Sequence, residues 1–394
     1  MIEAARHVPL RSIAWDESET AAAIDEIAAD AIAQFDARRF WPAHPQDDNV
    51  RDGHTGLYCG AVGMVWALDY LARTGASSRR YDFRPVLPRL LEALREEFPN
   101  IGYGSHGSLH FGELGAALVA MRLDPAPAHA DVVYAHAEAN SGQPIRELMW
   151  GLPGSMLACI FMGEMTAEAR WRDLYATQAA RLLDDLQETP KGPLWTQDLY
   201  GRHQQWLGPV HGYAGNMVPL LRGWSWLTEA QRARVADAVP RTLAGTAVCS
   251  ELGATWHGVV GRDGPPRLVQ HCHGAPGMVT TFADAPFTSP ELEALLLEGG
   301  NLTWAAGPLA KGSNLCHGTG GNGYAFLKLY RRTKDALWLD RARAFAMTAI
   351  AQCREKRQAV GRGRYSLWTG DVGLACYLED CLDAEPRFPT VDVL

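Results

Sequence analysis

A chain of 394 residues with an apolar fraction of 47% holds enough material for two average domains or one large repeat-built domain. Its formal net charge of -8 argues against a nucleic-acid partner, because neutralising phosphates takes a basic face. No apolar run reaches the length of a membrane span, and the N-terminus MIEAARHVPLRSIAWDESET lacks the apolar core of a secretory signal, so a cytoplasmic protein is expected. The eight cysteines of a chain in that reducing compartment are expected to be buried apolar side chains, not a disulfide framework, unless a particular one is argued otherwise.

The first element is a helix over 20–35, TAAAIDEIAADAIAQF, with apolar residues at three- and four-residue intervals opposite a charged face. Residues 1–50 read as an N-terminal arm plus this first outer helix. Gly60-Ala-Val-Gly63 then opens an apolar run containing MVWALDYLA. Amphipathic spacing returns over 83–98, followed by Gly112-Glu-Leu-Gly115 and a second apolar run, AALVAMRL. Gly151-Leu-Pro-Gly154 precedes another amphipathic segment at 169–186, and Gly212-Tyr-Ala-Gly215 comes next. Gly274-Ala-Pro-Gly277 and Gly318-Thr-Gly-Gly321 follow, the latter leading into YAFLKLY. An amphipathic stretch over 337–353 and Gly370-Asp-Val-Gly373 close the series.

One Gly-x-x-Gly would mean nothing, but seven copies recur roughly 40 to 60 residues apart, the period of a helical-pair unit. Strand signals are sparse. The spacing therefore predicts an all-α toroid: seven helical hairpins in a ring spanning 1–394, with buried inner helices and amphipathic outer ones. The glycine elements open the inner helices, where glycine lets backbones turn sharply and approach closely. All seven loops should converge on one central cavity.

Two elements carry chemistry. His271-Cys272-His273-Gly274 and Leu315-Cys316-His317-Gly318 occupy matching repeat positions, so both thiols should point into that cavity. Cys272, Cys316 and one histidine make a Cys2His set with a fourth position open, the ligand count of a catalytic zinc site. A single cysteine there would be better read as core packing; two in matching positions favour a metal. Pro209-Val210-His211-Gly212 places a further histidine just before its glycine, as a ligand or a general acid/base.

LVQHCHGAPG (268–277), NLCHGTGGNGYAFLKLY (314–330) and GPVHGYAGN (208–216) closely resemble the lanthionine synthetase C-like family, and the likeness runs from about Gly53 to the C-terminus. The resemblance implies an α,α-toroid with one central zinc, Cys272, Cys316 and His317 as its ligands, and His211 as the acid/base. Glu147 fills the family's acidic position four residues before the third glycine element, as in the glutathione-binding animal branch. The implied reaction adds a thiol to a dehydroalanine or dehydrobutyrine residue, forming a thioether. In that branch the thiol is glutathione, and Lys311 and Arg354 match a lysine and an arginine that contact it. A further N-terminal arginine would be Arg6 or Arg11. The partners implied are glutathione or a cysteine-containing peptide, and a peptide or protein dehydrated by another enzyme. Two alternatives share the ligands: a cyclase of a lanthipeptide precursor, and a non-catalytic zinc and glutathione sensor or scaffold. A glycosidase would need paired carboxylates. Only Glu113 and Asp371 lie inside the glycine elements, and neither accounts for the cysteines.

Overall fold

Helices of two kinds alternate along the chain. The computed structural model describes residues 2–47, 53–97 and 107–394. In chain order they are α1 (Glu17–Ala33), α2 (Ala61–Thr74), α3 (Leu87–Glu97), α4 (Glu113–Leu123), α5 (Pro127–Asn140), α6 (Leu152–Thr166) and α7 (Ala169–Asp184). Then come α8 (Tyr213–Arg222), α9 (Glu229–Thr246), α10 (Ala275–Phe282), α11 (Pro290–Ala306), α12 (Thr319–Thr333), α13 (Ala336–Val360) and α14 (Asp371–Asp383). The even-numbered helices are buried almost all round and pack each on the next, α14 closing on α2. The odd-numbered ones flank them with an apolar face inward and a charged face out. α1 seals the circle by packing against α13 and α14. The result is an all-α toroid, as the sevenfold repeat predicts. Met1, residues 48–50 and Phe98, part of the elements expected at 1–50 and 83–98, lie outside the described residues. Among the described residues no helix is long and apolar enough to cross a membrane.

The first glycine of every element is the N-cap residue of an inner helix. The second lies in the helix's first turn, where a Cβ would overlap the carbonyl oxygen six residues upstream in all seven copies. At Gly321 that oxygen belongs to Leu315, next to Cys316, and backbone cannot yield as a flexible side chain can. Gly321→Ala should therefore destabilise the fold by about 2 kcal/mol or more, read as a lowered urea midpoint. An unchanged midpoint would remove close approach as the reason for the repeat.

The loops before these glycines interlock through their backbones. Tyr58 N donates to His110 O at 2.9 Å, Trp368 N to Tyr58 O at 2.9 Å, Cys316 N to Trp368 O at 2.9 Å and Cys272 N to Cys316 O at 3.1 Å. Each of these residues stands two positions before the first glycine of its element. These four bonds join equivalent residues of five of the seven repeats in an arc across the mouth of the ring, and two neighbours on that arc are cysteines.

The structure departs from a purely helical chain at two short hairpins. β1 (Gln197–Leu199) pairs antiparallel with β2 (Arg202–Gln204), and β3 (Ala247–Ser250) with β4 (Gly253–Trp256). Strands of three or four residues are too short to leave a period-two pattern in the sequence. Tyr200 and Gly201 make the turn of the first hairpin with φ of 53° and 69°, the positive values of a type I′ turn.

Candidate metal centre and its cavity

Neighbouring places on this backbone arc bring the Cys272 and Cys316 sulfurs together. The sulfurs and a ring nitrogen of His317 all lie within 4.8 Å of one another, and among the described residues they are the one such group suited to a metal ion. Both cysteines are buried. A hydrogen bond from Cys316 holds the Cys272 thiol below the usual thiol range, with Gln270 Nε2 donating to its sulfur at 2.9 Å. The same contact and burial push the Cys316 thiol well up. Two sulfurs sharing one proton are a site that a dication suits better. The His317 imidazole is brought down to about 4 by burial and by the charges of Lys311, Arg364, Arg6 and Lys356, so near pH 7 it is a neutral base with a lone pair to offer. Of the three histidines beside the cysteines, His317 alone joins the group; His271 stacks on Phe388 at 4.4 Å and His273 packs against Gly258 and Gly208.

The donor set fits zinc: two thiols and one imidazole, with one position left for a substrate. Its surroundings orient it. Arg6 Nη2 donates to Gln270 Oε1 at 3.2 Å, behind Cys272, and Asn314 Oδ1 accepts from His317 N at 3.0 Å. Tyr58, invisible as a site residue in the sequence, hydrogen-bonds Cys316 and stacks on Trp368 at 5.1 Å.

His211 and Glu147, 64 residues apart, meet as a pair. His211 Nδ1 lies 2.8 Å from Glu147 Oε2, and Trp150 N donates to Oε1. Glu147 is fully buried, whereas the His211 side chain keeps 17% of its exposure. A carboxylate that accepts on both oxygens fixes the proton of the neutral imidazole on Nδ1 and leaves the Nε2 lone pair for proton transfer. Tyr200 Oη stands 3.4 Å from that Nε2.

A cavity of about 870 Å3 opens beside His317, lined among others by Arg6, Lys311, Lys356 and Arg364. The N-terminal arm delivers Arg6 there: Val8 N donates to Pro308 O and Ala310 N to Arg6 O, both at 2.9 Å, placing the arm along the segment before Lys311. Of the two N-terminal candidates, Arg11 is instead paired with Glu355 at 2.7 Å. Arg354 also departs from the expectation. It is bound to Glu19 and Glu26 of α1 and does not line the cavity. Lys356 and Arg364 stand where a cation was expected of Arg354. Arg364 is the one of the four lining cations held by a carboxylate among the described residues, Asp47 at 2.8 Å. Burial and the charge of Arg364 lower the Lys356 ammonium from its ordinary value. In a chain of net charge -8, cations gathered in one cavity call for an anionic ligand. Of the two carboxylates weighed for a glycosidase, Glu113 pairs with Arg95 at 2.9 Å and Asp371 lies 3.6 Å from Arg357, so both serve ion pairs.

The chain is similar to known proteins over part or most of its length. The LanC-like protein GCL1 of Arabidopsis thaliana is 36% identical over 143 residues, 33% of this chain and 32% of that protein. The glutathione S-transferase LANCL1 of Danio rerio is 28% identical over 255 residues, 63% of this chain and 62% of that one. The aligned stretches thus span about a third and less than two thirds of those relatives. Nisin cyclase superposes with a TM-score of 0.63 over 93% of this chain and 99% of its own at 14% identity, a likeness of fold. A family model of lanthionine synthetase C-like proteins matches residues 42–393, from the N-terminal arm to the penultimate residue, and the chain belongs to that family.

Proposed function

We propose that this protein adds the thiol of glutathione to dehydroalanine or dehydrobutyrine residues of a peptide or protein, in a zinc-dependent reaction at Cys272, Cys316 and His317. The observation that carries the reading is a cavity lined by four cations that opens at His317, one of the three members of a thiol-rich metal donor set. Glutathione bears a thiol and two carboxylates, and charge-assisted hydrogen bonds from cations would orient its thiol toward the metal donors. Zinc held there would supply a deprotonated thiol at neutral pH. The chain's own residues do the rest. Arg6, Lys311, Lys356 and Arg364 hold the carboxylates. His211 Nε2 takes the thiol proton, and Glu147 stabilises the imidazolium that forms. The sulfur pair makes a bond to the β-carbon, the alkene pair moves into an enolate, and the proton returns to the α-carbon. The glutathione S-transferase LANCL1 of Danio rerio agrees with this choice of thiol by its name.

Calorimetry tests the thiol. Lys311→Ala and Lys356→Ala should each weaken glutathione binding about tenfold, since a hydrogen bond to a charged group is worth roughly 1.5–3 kcal/mol. A neutral thiol should be nearly indifferent to both changes, and Arg354→Ala should leave glutathione binding unaltered. Equal losses for the two thiols, or no glutathione binding by the unaltered protein, would shift the reading to a cyclase that uses a peptide cysteine.

A further inference from the structure

Tyr200 occupies a place that the thiol-addition reading leaves without a role. It sits at the first central position of the β1–β2 turn with φ of 53°, a conformation bulky residues rarely adopt. Its ring meets His211 edge-on at 5.3 Å and 89°. Trp150 Nε1 lies 3.1 Å from Tyr200 Oη, and Oη lies 3.4 Å from His211 Nε2. His211 is largely shielded from solvent, whereas Tyr200 is among the most exposed of the large side chains.

The two ends of this chain of groups set its direction. An indole N–H can only donate, and an ionised carboxylate can only accept. With Glu147 accepting the hydrogen bond from Nδ1–H, Nε2 of neutral His211 is an acceptor, so the Tyr200 hydroxyl must donate to it while accepting from Trp150. Tyr200 is 42% exposed, so its hydroxyl links the shielded imidazole to a side chain that reaches solvent. Catalytic hydrogen bonds are often long before substrate arrives, and 3.4 Å suits a contact that shortens on binding.

We propose that Tyr200 is a further catalytic residue, whose hydroxyl relays the proton from His211 to the α-carbon of the dehydrated residue. The relay rests on the thiol-addition reading. After His211 has taken the thiol proton, Nε2–H passes to Oη as the Oη–H passes to the α-carbon. One S–H bond is lost, one S–C and one C–H bond form from the alkene pair, and Tyr200 and His211 end as they began. The phenol delivers to one face, so the new α-carbon has a single configuration.

The experiment uses the zinc-loaded full chain, glutathione and a dehydroalanine peptide in heavy water, comparing the unaltered protein with Tyr200→Phe. That variant keeps the ring and the turn and removes only the relay oxygen. Zinc content and glutathione affinity should stay within about twofold, the addition rate should fall about 100-fold or more, and the product should become a mixture of two α-carbon configurations. A variant that keeps both rate and single configuration overturns the relay and leaves thiol addition standing. A slower variant with a single configuration overturns it too, since Tyr200 would then merely position His211. An unaltered protein that binds zinc yet adds no thiol overturns the reaction and the relay together.

Discussion

Cys272→Ala, Cys316→Ala and His317→Ala should each yield a folded protein almost free of zinc, where the unaltered chain should carry about one ion per chain by elemental analysis. The three donors lie within 4.8 Å of one another, and no other such group exists among the described residues, so no substitute ligand stands ready. Outer-shell partners alone typically cost 10- to 100-fold in metal affinity, and a direct ligand should cost more. The fold should survive because the glycine contacts and the backbone arc do not depend on these side chains. Cys249→Ser, at an exposed thiol, is the control and should keep its zinc. Stoichiometric zinc in Cys272→Ala would remove that residue from the metal and undo the pairing of the two repeat positions.

His211→Ala should keep both zinc and glutathione yet lose most thioether formation, by about 10²- to 10⁴-fold, the usual share of a positioned acid/base. Glu147 stays behind in that variant, buried, with the Trp150 amide still donating to it, so the loss reflects the missing imidazole and not a collapsed loop. Loss of zinc would make His211 a ligand instead. The same measurement separates enzyme from sensor: glutathione bound without turnover by the unaltered protein, and no effect of His211→Ala, would favour the sensor.

The metal centre was more legible than the ligand site, and the reason is geometric. Cys272 and Cys316 could be paired from sequence because repeats superpose: two residues at the same offset from equivalent glycines share one place on the ring. The same rule singled out His211, one position before its glycine. It could not choose among His271, His273 and His317, since each flanks a cysteine and side-chain direction decides which imidazole reaches both sulfurs. Cations fared worse. Arg354 and Lys356 are two residues apart on α13, which turns the second about 200° from the first. Arg354 therefore meets Glu19 and Glu26 on α1 while Lys356 reaches the cavity. Arg364 comes from the loop beyond that helix, where no periodicity says which way a side chain points. Tyr200 left no signal because its hairpin is too short to read.

What the sequence by itself determined is the ring and the pairing of Cys272 with Cys316 as candidate metal donors. Seven local clashes with a carbonyl six residues upstream demand glycine at seven places, and a demand met within one turn of chain is written in the chain. What only the tertiary structure decided is everything that depends on chains crossing: the Glu147–His211 pair, Arg6 carried in by the N-terminal arm, Lys356 in place of Arg354, and Tyr200 over the imidazole. Apart from Tyr200 and His211, which share the connection between α7 and α8, those contacts join distant segments, and their geometry is set by how whole helices pack, which no local pattern of residues records.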